Sequence, residues 1–212
     1  MDRQIHYSEI EKTLATGDLI LFHGKQSTSE LIELLEWSYW SHIGMIVLPK
    51  DVGLEGEGPF IWESTSSGDG IIDVILGKEK PNGPMLIPLK DRISEDIKQG
   101  FDNHFKIRYL NSVISKDELT ELKKFIFEVH TASFPTIKDL CKIYLEGKEK
   151  NIQGPTGMYF CSQLVAQTYM KMGYLSERYV ANGYSPVEFN NNGSLPSTKR
   201  FHLFDGAIIN HV

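Results

Sequence analysis

One stretch near the end of the chain constrains the fold most. Cys161, Leu164, Val165, Thr168, Tyr169 and Met172 recur at i, i+3, i+4, i+7, i+8 and i+11. They form one continuous stripe on a helix, and such a stripe has to be buried against another layer. Gly173 is a natural stop, because a glycine just past the last turn takes the left-handed conformation without a steric penalty. Short apolar runs of strand length can supply the partner layer. Residues 18–22 (Asp-Leu-Ile-Leu-Phe), 43–48 (closed by Pro49) and 60–63 read as strands. Residues 49–59 form a Gly/Pro-rich acidic loop between the second and third runs, which predicts a long hairpin with antiparallel strands. Phe105, Ile107 and Tyr109 alternate with Lys106 and Arg108, the two-residue period of another strand. Residues 70–76 and 85–89 are further strand candidates around a turn-rich segment.

The remaining elements read as helices. Residues 5–15 predict a short helix ahead of Gly17. Ser27-Thr-Ser-Glu30 and Ser115-Lys-Asp-Glu118 both fit the capping-box pattern, in which the first and fourth side chains satisfy each other's exposed N–H groups. The first box opens a helix ending near Tyr39. The second precedes Leu122, Phe125, Ile126 and Val129 at helical spacing. Residues 136–145 predict one more helix, 147–157 a polar loop, and the tail after Gly173 a polar stretch with an exposed loop at 190–193. The sum is an α+β chain with a mostly antiparallel sheet packed against helices. No composition shift divides it, so residues 1–212 read as a single domain.

Composition narrows the function classes. A net charge of −6 and the lack of a dense Lys/Arg run argue against a nucleic-acid partner. Two cysteines cannot build a secreted disulfide framework or an all-cysteine zinc site. Neither a phosphate-binding loop, a dinucleotide fingerprint nor a zinc-binding helix motif is present, and Asp69, Asp73 and Glu79 lack metal-ligand spacing. The expectation is no metal and no cofactor. The start, Met-Asp-Arg-Gln-Ile-His, lacks the apolar core of a signal peptide, and the apolar runs are too short to span a bilayer. A cytoplasmic protein with no integral membrane segment is expected.

Cys161 is the residue with the most chemical promise. At the start of a helix a thiol feels the positive end of the dipole, which favours the nucleophilic thiolate. The exposed N–H groups at the same end suit a developing oxyanion. The competing reading is packing, because Cys161 lies on the apolar stripe and free cysteine is a common core residue. Cys141 sits mid-helix and reads as structural. Among seven histidines, His42 stands out because it opens a strand, a rigid place for a general base. His23 ends another strand and is its rival. Glu63 ends the strand of residues 60–63, and an antiparallel hairpin brings it beside His42. There it either orients the imidazole or remains a solvated strand-end charge. Trp37, Tyr39 and Trp40 either line a pocket or pack in the core.

Gly17-Asp-Leu-Ile-Leu-Phe22, Ser41-His-Ile-Gly-Met-Ile46, Trp62-Glu-Ser64 and Phe160-Cys-Ser-Gln-Leu-Val165 together resemble the permuted branch of the NlpC/P60 cysteine peptidases. That branch includes YiiX-like proteins and the lecithin retinol acyltransferases. The resemblance covers about residues 14–175, with no motif matched over roughly 70–155, which it implies is a family-variable segment. Gln163 departs from the Glu that family members often carry there. The resemblance implies a circularly permuted papain-like fold, and the order His42, Glu63, Cys161 is the one the permuted branch requires. It further implies a peptidase or amidase that cleaves an amide bond in a small peptide-like or amino-acid-containing substrate. In that scheme Cys161 is the nucleophile, His42 the base and Glu63 its orienter, with Trp40, Ser41, Ser64 and Tyr159 lining the substrate site. The alternatives are transfer or thioester cleavage of lipid-like acyl groups, and a catalytically silent papain-like binding module.

Overall fold

The computed structural model describes residues 4–23, 39–100, 105–190, 195–196 and 202–211. It is an α+β structure. Among the described residues, seven strands form one sheet in the order β1-β9-β8-β2-β3-β4-β7. These are β1 (Gln4–His6), β2 (Leu19–Phe22), β3 (His42–Val47), β4 (Phe60–Thr65), β7 (Gly83–Pro88), β8 (Phe105–Leu110) and β9 (Leu203–His211). Neighbours are antiparallel except β1 and β9, which run parallel. A separate small hairpin joins β5 (Ile72–Asp73) to β6 (Lys78–Glu79).

Both faces of the sheet are covered. On one face Leu19, Leu21, Ile43, Met45 and Trp62 pack with Leu164, Val165 and Tyr169 of the Cys161–Lys171 helix and with Phe125 of the Lys116–Val129 helix. On the other face Ile20, Phe22, Ile46, Ile61 and Ile107 pack with Leu89 and Ile93 of the Leu89–Lys98 helix. Burial on two sides explains why β2 and β3 read as unbroken apolar runs rather than alternating ones.

The Cys161–Lys171 helix lies with its stripe on β3 and β4, as its periodicity predicts. Polar bonds fix how it lies there. Trp62 Nε1 donates to Thr168 Oγ1 at 3.2 Å, Tyr169 Oη donates to the Gly17 carbonyl at 2.5 Å, and Ser162 Oγ donates to the Tyr184 carbonyl at 2.8 Å. Gly17 sits at φ +93°, and a Cβ there would also meet Leu110 at 2.6 Å. Beside it the buried Asp18 carboxylate accepts the Ala15 and Leu110 N–H groups, each at 2.8 Å, tying β2 to β8.

Several expectations are corrected. Residues 5–15 are not one helix: β1 pairs with β9 first, and a four-residue helix (Tyr7–Ile10) and a single 3-10 turn (Glu11–Thr13) follow. The 49–59 loop opens with a helical turn at Pro49–Val52, where proline takes the first helical position. Strand structure in 70–76 shrinks to Ile72–Asp73. There the buried Asp73 carboxylate accepts the Ile75 and Leu76 N–H groups and bends the chain into a turn. The 136–145 helix runs on to Lys150, ending on Asn151 in the left-handed conformation. The tail contains a long strand, β9. The helix proposed to follow Ser27 lies outside the described residues, as do Trp37, His104 and most of the 190–193 loop. The second capping box is present: Ser115 Oγ accepts the Glu118 N–H at 3.3 Å, and Glu118 accepts the Ser115 N–H at 2.6 Å. Among the described residues no helix is long and apolar enough to cross a membrane.

Candidate active site

The site is built on the β3–β4 ladder. Met45 pairs with Trp62, Ile46 with Ile61 and Val47 with Phe60. Continued in the same register, Gly44 stands opposite Glu63 and His42 lies diagonally beyond it on the same face. Diagonal neighbours are within reach of a long side chain. Gly44 makes room for the crossing. A Cβ there would lie 2.5 Å from the Ile61 side chain and 3.3 Å from the Glu63 Cβ. His42 Nε2 donates to Glu63 Oε2 at 2.6 Å. The hairpin expected from sequence therefore brings the two residues together.

Glu63 is fully buried, and its second oxygen is not idle. Arg92, also buried, donates from Nε to Glu63 Oε1 at 2.8 Å. Its Nη1 donates to Asp69 Oδ2 at 2.7 Å and lies 3.6 Å from Asp96 Oδ1. Burial alone would raise the Glu63 pKa. The Arg92 charge and the bond from His42 outweigh it and hold the carboxyl down to about 2. Burial likewise disfavours a charged His42, but hydrogen bonding and charge from Cys161 and Glu63 reverse the sign and raise its pKa. Asp96 is shifted the other way, up to about 6, because burial there outweighs the attraction of Arg92.

Cys161 is the first residue of its helix, and Phe160, at the cap, carries no side-chain oxygen to satisfy the first turn's N–H groups. The Cys161 side chain interacts with His42. With Nε2 turned to Glu63, Nδ1 is the ring nitrogen left for the thiol. The pair is unevenly exposed. Cys161 is 2% exposed, while the His42 side chain keeps 21% of its surface open.

The other residues singled out from sequence are placed differently. Ser64 is fully buried and donates to the Tyr159 carbonyl at 2.6 Å, so it ties β4 to the segment entering the cysteine helix. Trp40 and Tyr159 are buried in the same apolar cluster as Cys161. Ser41 is buried, and its N–H donates to the Phe22 carbonyl at 3.0 Å. His23 stacks on Tyr39 with ring centres 3.8 Å apart instead of joining the thiol. Cys141 is partly buried in mid-helix, and burial raises its pKa. Asp73 pairs with His130 at 2.9 Å in a separate buried cluster. Among the described residues no three His, Cys, Asp or Glu side chains converge as metal ligands would.

No family model matches the chain, and no curated protein matches it. Among solved structures it is similar to the crystal structure of metalloprotein yiiX from Escherichia coli O157:H7, at 19% identity and a TM-score of 0.47. The likeness covers 74% of this chain and 65% of that one, so less than two thirds of that protein's length is matched.

Sequence reasoning did not find Arg92 or Asp96, and it weighed Asp69 only as a metal ligand. A signal for the first existed. Leu89, Ile93 and Ile97 recur at i, i+4 and i+8, which predicts a helix with Arg92 beside its apolar face. The turn-like Pro88 and the preceding strand hid it.

Proposed function

We propose that this protein is a cysteine hydrolase that cleaves an amide bond in a small peptide-like or amino-acid-containing substrate, with a permuted papain-like arrangement of its core. The observation that carries the reading is that His42 interacts with the Cys161 side chain and bonds the Glu63 carboxylate. This is the layout of a nucleophile, its base and an orienting acid.

In this scheme the Cys161 sulfur attacks the substrate carbonyl carbon while the proton resides on His42 Nδ1. The oxyanion is held by the Cys161 backbone N–H at the uncapped helix start. His42 then passes its proton to the departing amine nitrogen, and the C–N bond breaks to leave a thioester on Cys161. Water, deprotonated by His42, attacks that thioester and releases the acid and the free thiol. Glu63 remains ionised throughout, accepting the Nε2–H and stabilising the imidazolium.

The burial of Cys161 favours a second reading, a closed binding module without turnover. One experiment separates the two. The intact protein is incubated with a library of peptides, amides and acyl esters and then weighed by mass spectrometry. The hydrolase reading expects an acyl adduct on Cys161 from peptide or amide substrates, absent in Cys161→Ala. Adducts from fatty acyl esters alone would move the assignment to acyl transfer, and no adduct from any class would favour the closed module.

A further inference from the structure

Arg92 stands on the opposite face of the sheet from the cysteine helix, yet it is bonded to the same carboxylate that holds the imidazole. We infer that Arg92 is a positioning residue for the thiol–imidazole pair, acting through Glu63 by keeping that carboxylate ionised and aimed. This inference rests on the hydrolase reading and adds a component to it.

The geometry supports a directed role. Glu63 has no exposed surface, so its charge needs a compensating partner inside the protein. His42 cannot be the sole partner, because its own charge is the quantity being controlled. The Arg92 Nε–H meets Oε1 and leaves Oε2 for the imidazole, so each oxygen faces one donor. The guanidinium is anchored in turn. Its Nη1 bonds Asp69, which sits at φ +51° in the loop after β4 and is held by Ser67 Oγ at 2.7 Å. Asp96 approaches from one turn further along the same helix. The ionisable groups around the imidazole and its carboxylate are therefore Asp69 from the loop after β4, Arg92 and Asp96 from the helix, and Cys161 from the far face. Among them Arg92 is the one cation whose charge does not vary over the working pH range. A lysine-sized point charge would supply attraction without the fork that addresses Glu63 and Asp69 together.

The test reads the thiol directly and needs no substrate. Rates of Cys161 carboxamidomethylation by iodoacetamide are measured from pH 4 to 9 by peptide mass spectrometry, with Cys141 in the same sample as the internal reference. In wild type, Cys161 reacts faster than Cys141 down into mild acid. In Arg92→Gln the buried Glu63 takes up a proton more readily, and the imidazolium loses support. The acid limb of the Cys161 profile then moves up by about one pH unit, a roughly tenfold slower reaction on that limb. Arg92→Lys, which keeps the charge, brings most of the limb back toward its wild-type position. A residue that merely stabilises the fold would lower the unfolding midpoint and leave the limb in place, and that result overturns the inference.

Should Arg92→Gln fail to fold, the comparison passes to Glu63→Gln against the Glu63→Gln/Arg92→Gln double variant, in which neither side of the buried pair is left charged. Identical profiles support action through Glu63. A further shift of equal size in the double variant overturns it. The outcomes also separate the inference from its parent: a wild-type Cys161 no faster than Cys141 sinks the hydrolase reading itself, whereas a fast Cys161 with an unmoved Arg92→Gln limb sinks this inference alone.

Discussion

Glu63 lies diagonally across the β3–β4 ladder from His42 and accepts its Nε2–H at 2.6 Å. The bond spans the place where Gly44 has no side chain, so the site depends on a backbone residue as much as on the pair itself. Gly44→Ala should push a methyl to within 2.5 Å of Ile61 and crowd Glu63. The expected cost is about 1–3 kcal/mol, typical of overpacking a filled core. Urea unfolding monitored by fluorescence would measure it, and an unchanged midpoint would mean the ladder opens more easily than its register suggests.

Removing the carboxylate should do two separable things. Glu63→Ala leaves the buried Arg92 Nε–H without its acceptor, with Asp69 and Asp96 still beside the guanidinium, and should destabilise by about 1–3 kcal/mol, whereas Glu63→Gln keeps the shape and should cost less. Both should slow turnover on any substrate identified by acyl capture, by roughly 100-fold or more, the scale of a positioned acid–base pair. Denaturation and steady-state assays on both variants separate the two effects. Stability loss with full turnover would remove Glu63 from the proposed chemistry.

Three groups of the candidate site should each make stability depend on pH. Glu63 has a folded pKa of about 2 against an ordinary 4.5, so its contribution is complete above 4.5 and is lost as pH falls toward 2. His42 is raised above its ordinary 6.5, so its contribution is complete below 6.5 and is lost as pH climbs through the raised value. Asp96 is raised to about 6 from 3.8, so its contribution is complete below 3.8 and is lost as pH rises from there through 6. The sum of these three contributions is greatest near pH 4 and declines from there toward alkaline pH. Urea midpoints across pH 2–10 check this, and His42→Ala should flatten the decline above pH 6.5. A decline that survives in His42→Ala would assign it to other groups.

The Ser64 hydroxyl, buried against the Tyr159 carbonyl, should behave as a tether. Ser64→Ala leaves that carbonyl without its donor and should cost about 1–3 kcal/mol in unfolding free energy. A changed KM with unchanged stability would instead return Ser64 to substrate contact.

The legible parts of this fold were those specified by local pattern. The Cys161 stripe, the runs at Leu19–Phe22 and His42–Val47, and the Ser115 capping box each state their structure within a few residues. The His42–Glu63 meeting was also legible, because a hairpin is a local pairing whose register can be counted. β9 was not. Asp205 and Gly206 interrupt its apolar residues, and its partners β1 and β8 lie far away in sequence, so only the finished sheet shows why it is a strand. Arg92 was hidden for a different reason. A charged residue in a helix reads as solvent-facing, and its burial follows from three carboxylates that the fold gathers around it.

In the proposed chemistry His42 activates Cys161. Iodoacetamide modification at pH 7, followed site by site in wild type and His42→Ala, tests it most directly. Cys161 should react at least roughly tenfold faster than Cys141 in wild type, and the advantage should disappear without the imidazole. Equal rates at the two cysteines in wild type, or a Cys161 rate indifferent to His42, would contradict it.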